Sequence, residues 1–202
     1  SSIQRVNSMI VSETELPSEK IRNGNLKKYE WEQLEIKLKH LVDAPILIDD
    51  TPAISVFELR AKARRLKIQY DIHLLIVDYL QLMSGPTDSS GNREQEVSTI
   101  SRSLKAIAKE LDIPIIALSQ LNRSVELRSG DKRPQLSDLR ESGAIEQDAD
   151  LVLFIHRPER FGLLQDAEGN STKGMAEIII AKHRNGSVGD VQLKFKDELA
   201  KF

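Results

Sequence analysis

The chain has 202 residues, 40% hydrophobic and 30% charged, enough for one domain with a sizeable core. Its formal net charge of -2 carries no global basic signature, so any nucleic-acid contact has to come from a local patch. The absence of cysteine excludes disulfides and cysteine-ligated metal sites, and no apolar run approaches the roughly 20 residues that cross a bilayer, so a soluble cytoplasmic protein without membrane contact is expected.

The chain opens on Ser1-Ser2-Ile3-Gln4, already in a helical pattern and without an initiator Met, which reads as a cut inside a larger domain. Ile3, Val6, Met9 and Ile10 predict a helix over 2–13. A turn over 15–20 leads to a short helix that Asn23-Gly24-Asn25 ends. Residues 26–42 form a clearer amphipathic helix, broken by Pro45. Ile46-Leu47-Ile48-Asp49 reads as a short buried strand. Ser55 can cap the following helix, with Glu58 completing a capping box. That helix runs to about residue 69, and its basic face reads as solvated.

Residues 73–78, His73-Leu74-Leu75-Ile76-Val77-Asp78, hold four consecutive apolar positions without alternation. Such a run suits a strand buried on both faces of a parallel sheet, delivering Asp78 to its carboxyl end. Residues 84–92 are a loop rich in Ser and Gly at that edge. Residues 93–111 predict a helix with Val97, Ile100, Leu104, Ile107, Ala108 and Leu111 inward. Residues 113–118 are the next buried strand, ending in Ser119-Gln120. Strand, helix and strand make a right-handed βαβ unit.

Residues 121–135 are polar and rich in Arg, and 136–146 read as a helix broken around Gly143. A third buried strand covers 149–156, a mobile loop 161–174, a fourth strand 175–182 and a fifth 188–196. Asn185-Gly186 between the last two is a hairpin signal. The expected class is α/β: a mostly parallel sheet flanked by helices, with an antiparallel hairpin near the C-terminus.

A phosphate-cradling G-x-x-x-x-G-K-[ST] loop is missing from the sequence. Gly169-Asn170-Ser171-Thr172-Lys173-Gly174 has the glycine spacing, but Met175 stands where the lysine belongs, and a strand follows it instead of preceding it. Four scattered histidines give no zinc pattern. What remains is a set of polar strand ends. Asp78 and Gln120 share one edge of a parallel sheet. A glutamine amide both donates and accepts, which suits sensing a phosphate or orienting water. Lys182 and Arg184, two apart at a strand end, share a face and can reach one anion together. Taken singly, each is read more simply as a surface polar residue or a turn cap.

The order of these segments is more specific than any one of them. Leu75-Ile76-Val77-Asp78-Tyr79-Leu80-Gln81-Leu82, Ala117-Leu118-Ser119-Gln120-Leu121-Asn122-Arg123, residues 138–150 around Arg140-Glu141-Ser142-Gly143, and Lys182-His183-Arg184-Asn185-Gly186 together resemble the carboxy-terminal motor domain of replicative DNA helicases of the DnaB type. The resemblance covers nearly the whole chain. It implies one partial RecA-like domain over 1–202, in a homo-hexameric ring that moves along single-stranded DNA using ATP and Mg²⁺. It casts Asp78 as the residue holding magnesium through water, and Gln120 as the one coupling the γ-phosphate to DNA. Lys182 and Arg184 become fingers into the neighbouring subunit's ATP site; Arg140, Glu141 and Gly143 become the loop tracking the DNA backbone. Primase and a helicase loader are the partners it implies. The family's P-loop and catalytic Glu are expected upstream of Ser1.

Two other readings fit parts of the sequence. A recombinase or clock-type ATPase shares the Asp-ended strand, and a non-catalytic interaction module would keep the fold without the ATP site. The 202-residue chain by itself is expected to bind ATP poorly and to show no ATPase activity, because the main amide and Lys contacts to a triphosphate are not among its residues. Phosphate release by the purified chain, unaffected by Asp78→Ala, would overturn the role given to Asp78.

Overall fold

The computed structural model of the chain describes residues 2–85, 93–139, 143–166 and 168–202. Three helices come first: α1 (Ser2–Thr14), α2 (Ser18–Asn23) and α3 (Lys28–Val42). Helix α2 ends on Gly24, whose φ of +66° is left-handed and costs little without a Cβ. Helix α1 lies against α3, with Val11, Leu16 and Leu34 buried outside the main core. Buried Glu30 fixes the start of α3 by accepting from Lys20 Nζ at 2.6 Å and from the Lys27 amide at 2.8 Å.

Residues 46–48 do not form the expected buried strand. Ile46, Leu47 and Ile48 are exposed, and no described strand lies alongside to take their backbone hydrogen bonds. Apolar composition promoted them, but a strand needs a partner. Ser55 does cap the next helix, α4 (Val56–Tyr70), its Oγ accepting from the Glu58 amide at 3.2 Å.

The βαβ unit stands: β1 (Leu75–Val77), α5 (Arg93–Leu111) and β2 (Ile115–Ala117), with β1 and β2 parallel and Val77 opposite Ala117. Helix α5 buries Val97, Ile100, Leu104 and Ile107, one continuous stripe at helical spacing. β1 is not buried on both faces, however. Val77 is in the core and Ile76 is exposed. The sequence run of residues 84–92 falls largely outside the described residues; Ser84 and Gly85 belong to them.

A short α6 (Ser124–Leu127) precedes α7 (Gly143–Asp148), and the stretch read as a broken helix shows a 3-10 turn at Leu136–Asp138 and then α7, with residues 140–142 outside the described ones. Then come β3 (Leu151–His156), β4 (Met175–His183) and β5 (Gly189–Lys194). The expected hairpin is β4–β5, and β3 pairs antiparallel with the other edge of β4. The described part of 161–174 is a folded turn, not a loop without structure: the Asp166 carboxylate accepts from the Asn170 amide at 2.7 Å and the Glu168 amide at 3.0 Å, and Gln165 pairs with Ser171.

The strands thus form a parallel pair and an antiparallel triplet. Between β2 and β3 lies an apolar slot of about 920 Å³, with Ile116 and Leu118 on one side and Leu153 and Ile155 on the other. Those four side chains are all exposed, and among the described residues no backbone hydrogen bond joins the two sheets. Exposed hydrophobic surface of this kind binds hydrophobic dyes. The isolated chain should therefore enhance anilinonaphthalene sulfonate fluorescence, and Ile116→Lys with Leu153→Lys should cut that signal at least severalfold without lowering the thermal midpoint. An unchanged signal would place the dye elsewhere.

Candidate nucleotide site and its finger

Asp78 follows β1 directly. Its carboxylate is 45% exposed and pairs with Arg5 of α1 at 3.4 Å. The Asp78–Tyr79 peptide is cis. Because β1 and β2 are parallel, Asp78 and the exposed Gln120 come to the same carboxyl edge, as the sequence predicts. The structure adds a residue that the motifs do not single out. Gln81 lies in the turn after Asp78, and its carboxamide donates to Ser119 Oγ at 2.9 Å and accepts from the Gln120 amide at 3.3 Å. The carbonyl of Gln81 accepts from Arg93 Nη2 at 2.7 Å, so the start of α5 is pinned to this edge. A polar residue three positions beyond a strand-ending Asp was the available signal.

Lys182 and Arg184 share a face at the end of β4, as their spacing requires, and both reach the carboxyl end of α7. Lys182 Nζ donates to the carbonyls of Glu146 and, at 3.4 Å, Gln147; Arg184 Nη2 donates to Gln147 O at 3.2 Å. Cations at the carbonyl end of a helix are favourably placed. Arg184 also pairs with Asp150 at 3.0 Å. The other Asp150 oxygen accepts from Lys105 of α5, and these neighbours, Lys105 first, hold its carboxyl below the usual range.

Those contacts decide where Lys182 and Arg184 lie. Arg93 sits at the Asp78–Gln120 edge, while Lys105 sits beside Asp150 and Arg184. From Arg93 to Lys105 at 1.5 Å per residue is about 18 Å along α5. Asp78 and Arg184 therefore lie beside well-separated points along α5. Of the third group, Arg140 and Glu141 lie outside the described residues; Gly143 is the first residue of α7, with open space where a Cβ would be.

The Arg-rich segment before them is fastened at its root. The Asp138 carboxylate is buried, accepts from the Gln135 amide at 2.7 Å and pairs with Arg128. Asn122 N donates to Asp138 O at 2.8 Å, and Leu121 bridges to Leu139, so this root is tied to the end of Gln120's strand.

The family model for the DnaB-like helicase C-terminal domain matches residues 1–202. The chain belongs to this family. It is 51% identical over 199 residues to the replicative DNA helicase DnaB of Geobacillus stearothermophilus, covering 98% of the chain and 42% of that protein. It is 50% identical to the replicative DNA helicase DnaC of Bacillus subtilis strain 168, again over 98% of the chain and 42% of the relative. The chain thus spans less than half the length of these relatives. Two solved structures match it at 37% identity. One is a DnaB-like replicative helicase described with its interactions with primase (TM-score 0.88, 98% of this chain and 47% of that one). The other is described as an ATPase domain (TM-score 0.89, 99% of this chain and 69% of that one). The RecA-like α/β fold expected from the sequence stands. No helix among the described residues is long and apolar enough to cross a membrane.

Two charge pairs here differ in burial, and their losses should differ accordingly. Arg128→Ala leaves the buried Asp138 carboxylate unpaired and should cost about 3 kcal/mol of unfolding free energy. Arg184→Ala breaks a half-exposed pair and should cost about 1 kcal/mol or less. Equal shifts of the two denaturant midpoints would show that Asp138 is solvated once Arg128 is gone.

Proposed function

We propose that this chain is part of the ATP-driven motor of a replicative DNA helicase, which unwinds duplex DNA at the fork by moving on single-stranded DNA as a homo-hexameric ring. The observation that carries this reading is the separation of the two half-sites within one subunit. Arg184 is anchored beside Lys105, about 18 Å along α5 from the Arg93 contact at the Asp78 edge, so it is too distant to serve Asp78 of its own chain. Head-to-tail assembly would bring the finger end of one subunit to the Asp78 edge of the next, and such heterologous contacts close into rings.

Asp78 fits a magnesium that keeps most of its waters: one half-exposed carboxylate at a strand's carboxyl edge, whose ion-pair partner lies at 3.4 Å and is readily displaced. Bound Mg²⁺ would neutralise phosphate charge. Gln120, its backbone fixed by Gln81, is positioned to meet the γ-phosphate, and Lys182 and Arg184 would stabilise phosphoryl charge across the interface. Arg140, Glu141 and Gly143 are assigned to the DNA backbone by family likeness, and open space at Gly143 suits a close approach of the main chain. A net charge of -2 is compatible with contact restricted to a narrow channel. Primase and a helicase loader are the protein partners of this reading.

In the full-length protein, Asp78→Asn should keep the thermal midpoint while cutting hydrolysis strongly, because charge, not size, holds magnesium. Arg184→Ala should leave nucleotide binding intact and lower hydrolysis by about 10³-fold or more, the order seen for fingers supplied in trans. Rings mixed from the Asp78→Ala and Arg184→Ala proteins should regain part of the activity, because some interfaces then join an intact Asp78 to an intact Arg184. Full activity of Arg184→Ala alone would sink the finger assignment.

A further inference from the structure

We propose that Asp150 is a positioning residue for Arg184: with the Gln147 carbonyl near the end of α7 it holds the guanidinium in the orientation in which β4 presents it to the neighbouring subunit. The proposal rests on the finger reading above. Its basis is a cradle of three contacts from one short stretch. Arg184's own amide donates to Asp150 O at 2.8 Å, its Nη1 pairs with Asp150 Oδ1 at 3.0 Å, and its Nη2 donates to Gln147 O at 3.2 Å. The β3–β4 register puts Leu151 opposite His183, so Asp150 and Arg184 flank one ladder rung.

Lys105 holds the second carboxylate oxygen, so Asp150 cannot rotate away with the arginine. The carboxylate sits among Lys105, Arg184 and Lys182, which keep it ionised. A guanidinium has five N–H donors in a fixed fork. Two of its nitrogens are anchored here, and donors remain for a phosphate. An arginine on a free four-bond stem would lose much rotamer freedom on meeting that anion; one already held loses less. A carboxylate and an arginine that are both about half exposed add little to folding, so stability alone does not account for two contacts converging on one guanidinium beside a backbone bond to the same aspartate.

The test uses the full-length protein. Asp150→Asn should lower kcat for DNA-stimulated ATP hydrolysis about 10- to 100-fold, the range for loss of a supporting contact, with KM for ATP within about twofold and the thermal midpoint unchanged. Asp150→Glu should recover part of the rate. In an Arg184→Ala background, followed by phosphate release at high protein concentration, Asp150→Asn should add no further loss, because the group it positions is gone. A wild-type rate for Asp150→Asn, or a full multiplicative loss in the double variant, would overturn the positioning role. An inert Arg184→Ala, one that leaves hydrolysis unchanged, would instead overturn the finger reading, and the role of Asp150 with it.

Discussion

The burial of one face of α5 is the constraint on which the rest depends. The parallel pair and the antiparallel triplet share no backbone hydrogen bond among the described residues, so their relative placement is left to side-chain packing. Val97 and Ile100 are fully inaccessible, with Leu104 and Ile107 beside them, and the same core takes in Val77 from β1, Val152 and Phe154 from β3, and Ile179 from β4. Each such side chain contributes about 1.5–3 kcal/mol when removed from water. Helix α5 also carries a polar contact at each end of its functional span: Arg93 to the Gln81 carbonyl and Lys105 to Asp150. A nearly rigid rod thereby fixes the distance between the Asp78 edge and the Arg184 edge. On the proposed assignment, that distance is the spacing between the two ATP interfaces a subunit shares.

Helical periodicity was the most legible signal. The stripe from Val97 to Leu111 predicts residues 93–111, and α5 has those bounds. Local turn chemistry was equally readable, in Gly24 after α2 and in Asn185-Gly186 between β4 and β5. Burial of short apolar runs was not legible. Ile46-Leu47-Ile48 and Leu75-Ile76-Val77 look alike as sequence, yet only the second has a pairing partner, and even there Ile76 is exposed. Pairing is a non-local property, and a short apolar run does not encode it. Gly143 shows a different limit: a glycine marks a break in a helical pattern, and that the residues after it turn helical depends on Ile145 finding the core beside α5.

The site divides the same way. Strand-end positions for Asp78 and Gln120, and the shared face of Lys182 and Arg184, follow from strand period and parallel topology. What those side chains touch does not. Asp150 meets Arg184 because of a register that includes an irregularity between Val152 and Leu153, and Lys105 meets Asp150 because α5 packs beside α7. Gln81 meets Gln120 across a sequence separation of 39 residues. Such contacts depend on packing between elements, which no local window contains.

Packed and hydrogen-bonded chains can carry coupling between distant sites, and the described contacts on either side of residues 140–142 form parts of one. Gln120 leads into Leu121 and Asn122, which are bound directly to Leu139 and Asp138 by backbone pairing. The buried Asp138–Arg128 pair stiffens that junction. Residue 139 leads through the stretch assigned to DNA by family likeness and into α7 at Gly143. Helix α7 then ends on the carbonyls of Glu146 and Gln147, which receive Lys182 and Arg184. Six residues at 1.5 Å each make α7 only about 9 Å long, too short to bend appreciably between its ends. So short a helix links Gly143 closely to the carbonyls that receive Lys182 and Arg184. Under the proposed assignment, nucleotide sensing, DNA contact and the finger lie in series on one backbone path, with α7 as its stiffest link.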